Sequence, residues 1–144
     1  MRASVIIPTY NEGRNIQILI PKIHEAFKKN EIDGNIIVVD DTSSDGTDQI
    51  LKNIAKEFDD IHVLERHGKS GIGSAYKDGF RYVSSLKNSD IFIQMDADLS
   101  HDPIFLHAFL EKLKHGYDVV IGSRYVKNSN TETWDLSRKF ISRG

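Results

Sequence analysis

Short runs of β-branched and aromatic residues alternate along this chain with segments of helical period, and that alternation restricts the fold more than any other feature. The runs are Val5, Ile6 and Ile7; Ile36, Ile37, Val38 and Val39; residues 61–64; Ile91, Phe92 and Ile93; and Val119, Val120 and Ile121. Several lack polar alternation, as strands buried on both faces do. Between them, Ile16, Leu19, Ile20, Ile23 and Phe27 form a helical stripe, and Leu51, Ile54 and Phe58 form a second. Ala75, Gly79, Phe80, Val83 and Leu86 make a third; Leu106, Phe109, Leu110 and Leu113 make a fourth. Asp45 or Thr47 is placed to cap the second helix, and Asp102 with Pro103 opens the fourth. Strands alternating with helices require right-handed crossovers. The expected fold class is therefore α/β: a Rossmann-like, open twisted, mostly parallel sheet with helices on both faces.

A length of 144 residues suits a single domain, 1–144, with a real core. Charges nearly balance, 19 basic against 21 acidic, so no global field favours nucleic acid. The absence of cysteine excludes disulfides and Cys-based zinc sites and suits a cytosolic compartment. No signal-like region precedes Val5, and no run approaches the roughly 18 apolar residues of a membrane span. A membrane role would need a surface, a partner or a further segment. Residues 127–133 form a polar run that reads as a mobile loop. Trp134, Leu136, Phe140 and Ile141, interspersed with Arg138, Lys139 and Arg143, then suggest a short amphipathic helix with a basic side. The chain stops at Gly144 with nothing to receive that helix, so the fold is expected to be truncated at its C-terminus.

Asp96 and Asp98 stand one residue apart just beyond the run Ile91, Phe92 and Ile93. A strand ending in Asp-x-Asp puts both acids at the carboxyl edge of a parallel sheet, where open α/β folds bind ligands. Paired hard oxygens suit Mg²⁺ or Mn²⁺, which take carboxylates together with substrate phosphate. Two other patterns are excluded. Gly68-Lys69-Ser70 imitates the end of a P-loop, but Val63 stands where that motif needs glycine. Gly71-Ile72-Gly73 imitates a dinucleotide fingerprint, but Tyr76 replaces its third glycine.

Pro8-Thr9-Tyr10-Asn11-Glu12 follows the first run, and the stretch from Asp40 to Thr47 follows the second. An aromatic ring and carboxylates at strand ends could hold a base and a ribose. Asn11, Asp45 and Gly46 can equally be turn and cap residues, and for Asp45 and Gly46 that reading is preferred. For Asp41 ligand binding is preferred, because two adjacent acids at a buried strand end repel each other without any need from a turn. The glycines at 68, 71 and 73 can equally mark a flexible connection, but a loop near a ligand is preferred.

Six motifs occur in order: Pro-Thr-Tyr-Asn-Glu, Asp-Asp-x-Ser-x-Asp-Gly-Thr, Gly-x-Gly-x-Ala-Tyr, Asp-Ala-Asp-Leu-Ser-His, Gly-Ser-Arg-Tyr and Trp-Asp-Leu-x-Arg-Lys-x-Ile-Ser-Arg-Gly. Together they resemble the catalytic domain of dolichol-phosphate mannose synthases, inverting glycosyltransferases of the A-type fold, over nearly the whole chain. The resemblance implies a GDP-mannose donor, a polyprenyl phosphate acceptor, Mg²⁺ or Mn²⁺, and work at the cytosolic face of a membrane. It places Pro8, Tyr10, Glu12 and Asp41 at nucleoside-binding positions, with Asp40 supporting Asp41. Asp96 and Asp98 fall at the metal and diphosphate positions. Ser100 stands where some relatives place Gln as a further metal ligand. Arg124 and Arg138 match arginines that contact donor and acceptor phosphates, and Asp98 and Arg124 carry catalysis. Such proteins continue beyond the Ser-Arg-Gly that closes this chain. The piece alone is thus expected to bind nucleotide but transfer sugar poorly or not at all.

The chemistry is coherent without the resemblance. A divalent ion can neutralise charge on a leaving diphosphate, and guanidinium forks bind phosphate bidentately as lysine does not. No convincing general base is present; His101, ahead of a helix, reads as a loop or capping residue. A phosphate monoester, with a second pKa near 6, is already ionised and needs no base. A hydroxyl acceptor would. The same fold using another sugar nucleotide such as UDP-glucose, or a nucleotide-binding module without turnover, are the alternatives.

Overall fold

A computed structural model of the chain describes residues 1–68 and 71–123. Arg124, Arg138, the polar run 127–133 and the amphipathic segment 134–143 lie outside the described residues, as do Lys69 and Ser70. The chain divides into two compact units, Met1–His107 and Ala108–Gly144.

In the first unit the order is β1 (Ala3–Thr9), α1 (Gly13–Lys29), β2 (Gly34–Asp40), α2 (Thr47–Glu57), β3 (Ile61–Glu65), α3 (Ile72–Leu86) and β4 (Ile91–Gln94). A 3-10 turn, Pro103–Phe105, leads into α4 (Leu106–Lys114). All strand pairs are parallel, in the order β3-β2-β1-β4. Stepping from β1 to β3 in one direction and then back to β4 sends α1 and α2 to one face of the sheet. The same right-handed rule sends α3 to the other. Accordingly α1 packs on α2, while α3 packs on β1 and β2. Ile6, Ile37 and Val39 meet Ala75 and Val83 there, with Tyr76 and Phe80 against the same cluster. Gly79 lets α3 approach the sheet: a Cβ at that position would stand 2.4 Å from Ile6 Cγ2. Val5, Ile6, Ile7 and the whole run from Ile36 to Val39 are fully buried, which explains their lack of polar alternation.

The helix starts follow local chemistry. Asp102 accepts from Ile104 N at 3.1 Å and Pro103 fills the first position of the turn. At α2 the cap residue is Gly46, in the left-handed region at φ 89°, and Asp45 just before it accepts from Thr47 N and Oγ1. Those bonds, chiefly the one from the Thr47 hydroxyl, hold the Asp45 carboxyl below its ordinary range.

Two expectations are corrected. Phe58 is not part of the second helix: it ends α2 in an extended conformation and stacks on His24 with centroids 4.2 Å apart. Residues 119–121 form no strand, and Val119 and Ile121 are exposed. β-branched propensity makes a strand only where a neighbour pairs with it, and among the described residues none does. In the second unit the described residues are 108–123, where α4 ends through His115 and Gly116, the latter at φ 93°. Among the described residues no helix is long and apolar enough to cross a membrane.

Candidate functional site

The strand order reverses direction between β1 and β4, and open α/β sheets bind ligands at the carboxyl side of such a switch point. Pairing explains why a crevice opens there. Met95 N donates to Ile6 O at 3.1 Å, so alternate residues of β1 present their backbone to β4. Pro8 is the next in that series, and it lacks the N–H that a continuing ladder would require. The ladder with β4 runs only from Ala3 to Ile6, and the Asp96 segment leaves the sheet beyond it.

On the other side of β1 the tips of β1 and β2 are tied together. Asp41 N donates to Thr9 O at 2.9 Å. Buried Asp40 accepts from Thr9 Oγ1 at 2.8 Å, and from Ser43 Oγ at 2.6 Å and Ser43 N at 3.0 Å. Asn11, in the left-handed region at φ 58°, donates through N to Ser43 Oγ and accepts at Oδ1 from Ser44 N, each at 2.8 Å. Asp40 is thus the anchor of both loops. Tyr10 stands at this edge with 41% of its surface exposed. Glu12 caps α1 by position and accepts from Asn15 Nδ2 at 2.6 Å.

Asp41 is buried, and its carboxylate is balanced by a residue that sequence reasoning missed. Arg66 Nη1 lies 2.8 Å from Asp41 Oδ1; the same guanidinium reaches Asp78 at 3.1 Å and donates to Ser74 Oγ at 2.6 Å. Its backbone N donates to Asp40 O at 2.9 Å. The cue was available: Arg66 directly follows β3, so a cation stands at the sheet edge that also carries Asp40 and Asp41.

The Asp-x-Asp segment is held from α3 and from its own loop. Tyr76 donates its hydroxyl to Asp96 Oδ1 at 2.7 Å. Burial first, then that bond and the nearby charges of Asp96 and Asp98, push the Tyr76 phenol far above its ordinary range, so it stays protonated and a donor. Asp96 N donates to His101 Nδ1 at 3.1 Å, and His101 Nε2 stands 3.9 Å from Asp96 Oδ2. Asp98 Oδ1 accepts from Ser100 N at 2.9 Å across a turn in which Leu99 has φ 62°. His101 is therefore a loop residue, as its place in the sequence suggests. Through Ser74 and Tyr76, the first turns of α3 reach toward both acidic loops.

These donors fit a magnesium- or manganese-type ion. Asp96 and Asp98 offer hard oxygens, and among the described residues no set of three or more His, Cys, Asp or Glu side chains could hold a metal unaided. Such ions commonly complete their shell with substrate phosphate and water.

The sequence profile described as Glycosyl transferase family 2 matches residues 4–144. A dolichol-phosphate mannosyltransferase of Pyrococcus furiosus is 40% identical over 144 residues, covering all of this chain and 39% of that protein. A polyprenol monophosphomannose synthase of Mycolicibacterium smegmatis is 37% identical over 143 residues, 99% of this chain and 52% of its own length. Among solved structures, a mannosyltransferase of Pyrobaculum calidifontis in complex with GDP-Man and Mn²⁺ superposes with a TM-score of 0.59 at 28% identity. That match covers 67% of this chain and 27% of the other. The chain spans about half the length of the relatives it matches, or less. With a parallel sheet, an Asp-x-Asp loop at its switch point and a profile match over residues 4–144, the chain belongs to glycosyl transferase family 2.

Proposed function

We propose that this chain is the nucleotide-sugar-binding part of a metal-dependent, inverting glycosyltransferase that moves mannose from GDP-mannose to a polyprenyl phosphate. The observation that supports this best is the placement of the Asp96 to Ser100 loop and the tied tips of β1 and β2 on either side of the switch point. The names of the relatives add the donor and acceptor classes.

In this reading Pro8, Tyr10, Glu12 and Asp41 bind the nucleoside. Asp96 and Asp98, with Ser100 as a further oxygen, hold Mg²⁺ or Mn²⁺ and orient it toward the diphosphate. Bound there, the ion would offset negative charge on the leaving group. Arg124 and Arg138 bind the donor and acceptor phosphates, with Asp98 and Arg124 as the catalytic pair. His101 turns its Nδ1 to the Asp96 N–H, so that nitrogen is engaged within the loop rather than offered to a substrate. An acceptor phosphate, ionised at neutral pH, suits a site whose described residues offer no clear base. A polyprenyl phosphate acceptor would put the work at a membrane surface, in this reading on its cytosolic side.

Calorimetric titration with GDP-mannose, UDP-glucose and Mn²⁺ tests the proposal. GDP-mannose should bind more tightly than UDP-glucose and should require the metal. Asp98→Ala should weaken metal-dependent donor binding by more than tenfold. Preference for the uridine donor would overturn the choice of nucleotide, and normal Mn²⁺ and donor binding by Asp98→Ala would overturn the metal assignment.

A further inference from the structure

Asp96 is gripped on two sides by residues that would touch neither sugar nor nucleotide in the reading above. The Tyr76 hydroxyl donates to Oδ1 at 2.7 Å, and the Tyr76 ring is itself fixed. It lies against the cluster of Ile6, Ile37, Val39, Ala75 and Val83, and it stacks on Phe80 with centroids 6.5 Å apart. Phe80 in turn meets Phe92 of β4 edge-on at 5.9 Å. The donor is thus mounted on the core of the sheet. From the other side, His101 Nδ1 accepts the Asp96 N–H at 3.1 Å, which leaves the ring proton of a neutral imidazole on Nε2. That Nε2 is 3.9 Å from Oδ2, beyond hydrogen-bond reach.

We infer that Tyr76 and His101 are positioning residues that preset Asp96 as a one-oxygen ligand. Tyr76 occupies Oδ1 and fixes the plane of the carboxylate, His101 fixes the backbone beneath it, and Oδ2 is the oxygen presented to the cation. Partners of this kind orient ligating carboxylates, and their removal typically costs about 10–100-fold in metal affinity. A preset ligand also lowers the ordering cost of assembling the ion and the diphosphate together.

The inference rests on the reading of Asp96 as a metal ligand, and the test separates the two. GDP would be titrated into the full chain with Mn²⁺ and again with EDTA, for the wild type, Tyr76→Phe, His101→Ala and His101→Asn. Tyr76→Phe should lose about 10–100-fold of the Mn²⁺-dependent affinity while its affinity in EDTA and its urea midpoint stay close to wild type. His101→Ala should fall in the same direction. His101→Asn, whose amide oxygen can accept the Asp96 N–H, should recover much of the loss. Wild-type Mn²⁺-dependent affinity in Tyr76→Phe would overturn the inference, as would equal losses with and without metal, the mark of a merely structural role. A wild-type chain whose GDP affinity is indifferent to Mn²⁺ would instead refute the metal reading of Asp96, and the inference with it.

Discussion

At the scale of single residues, Asp41 shows where sequence reasoning reached its limit. Two adjacent acids at a buried strand end look costly, and a ligand is the obvious remedy. In the fold each acid has its own compensation: Asp40 takes hydroxyls and an amide from Thr9 and Ser43, and Asp41 takes the Arg66 guanidinium at 2.8 Å. Adjacency in sequence therefore does not measure repulsion, since compensating groups arrive from Thr9 on β1, from Ser43 in the following loop and from Arg66 just past β3. Arg66→Ala should destabilise the chain by about 3–5 kcal/mol in urea unfolding, because it removes the guanidinium 2.8 Å from a buried carboxylate. Arg66→Lys should restore only part of that, as a single ammonium cannot span Asp41, Asp78 and Ser74 together. Asp96, Asp98 and Tyr10 were legible as strand-end residues of suggestive chemistry; Tyr76 stood in a quoted motif, but only the fold joins its hydroxyl to Asp96.

At the scale of elements, periodicity served well wherever a helix or strand had a partner. All four apolar stripes became helices, and four of the runs became strands. The failures, Phe58 and residues 119–121, concern ends and pairing, which a one-dimensional pattern does not encode. Gly79 illustrates the same dependence on a neighbour. As an isolated helix residue it should favour alanine, yet a Cβ there would lie 2.4 Å from the buried Ile6. Gly79→Ala should therefore cost about 1–3 kcal/mol in urea unfolding despite the gain in helix propensity. The start of α2 gives a pH test. Because the folded state holds the Asp45 carboxyl below its ordinary value of 3.8, its contribution is present above that pH and is lost as acid protonates it. Wild type should melt above Asp45→Ala at pH 7, and the gap should close as the pH falls below 3.8 and acid protonates the folded carboxyl. Nucleotide affinity should be unaffected by that change.

At the scale of the whole molecule, the class of fold could be read from the alternation of runs and stripes, but the strand order could not. Nothing in the sequence alone places β4 beside β1 rather than beside β3, and that choice creates the switch point. Ligand binding should register globally. If the proposed site is right, Mn²⁺ and GDP-mannose together at about 100 times the dissociation constant should stabilise the chain by about 2.7 kcal/mol, read as a rise in melting temperature. Neither ligand alone should produce the full rise, since the Asp-x-Asp pair and the phosphate oxygens are both needed to complete the ion's shell.

The mutual clasp between Asn11 and the serines at 43 and 44 has a bearing on how such proteins can be re-engineered. A chimera importing the segment after β1 from a cousin with a different base preference would abandon its hydrogen-bonding counterpart after β2. Transplants should succeed only when both tips travel together, so if the tips hold the nucleoside as proposed, the pair, rather than either half, is the unit through which nucleotide preference is exchanged.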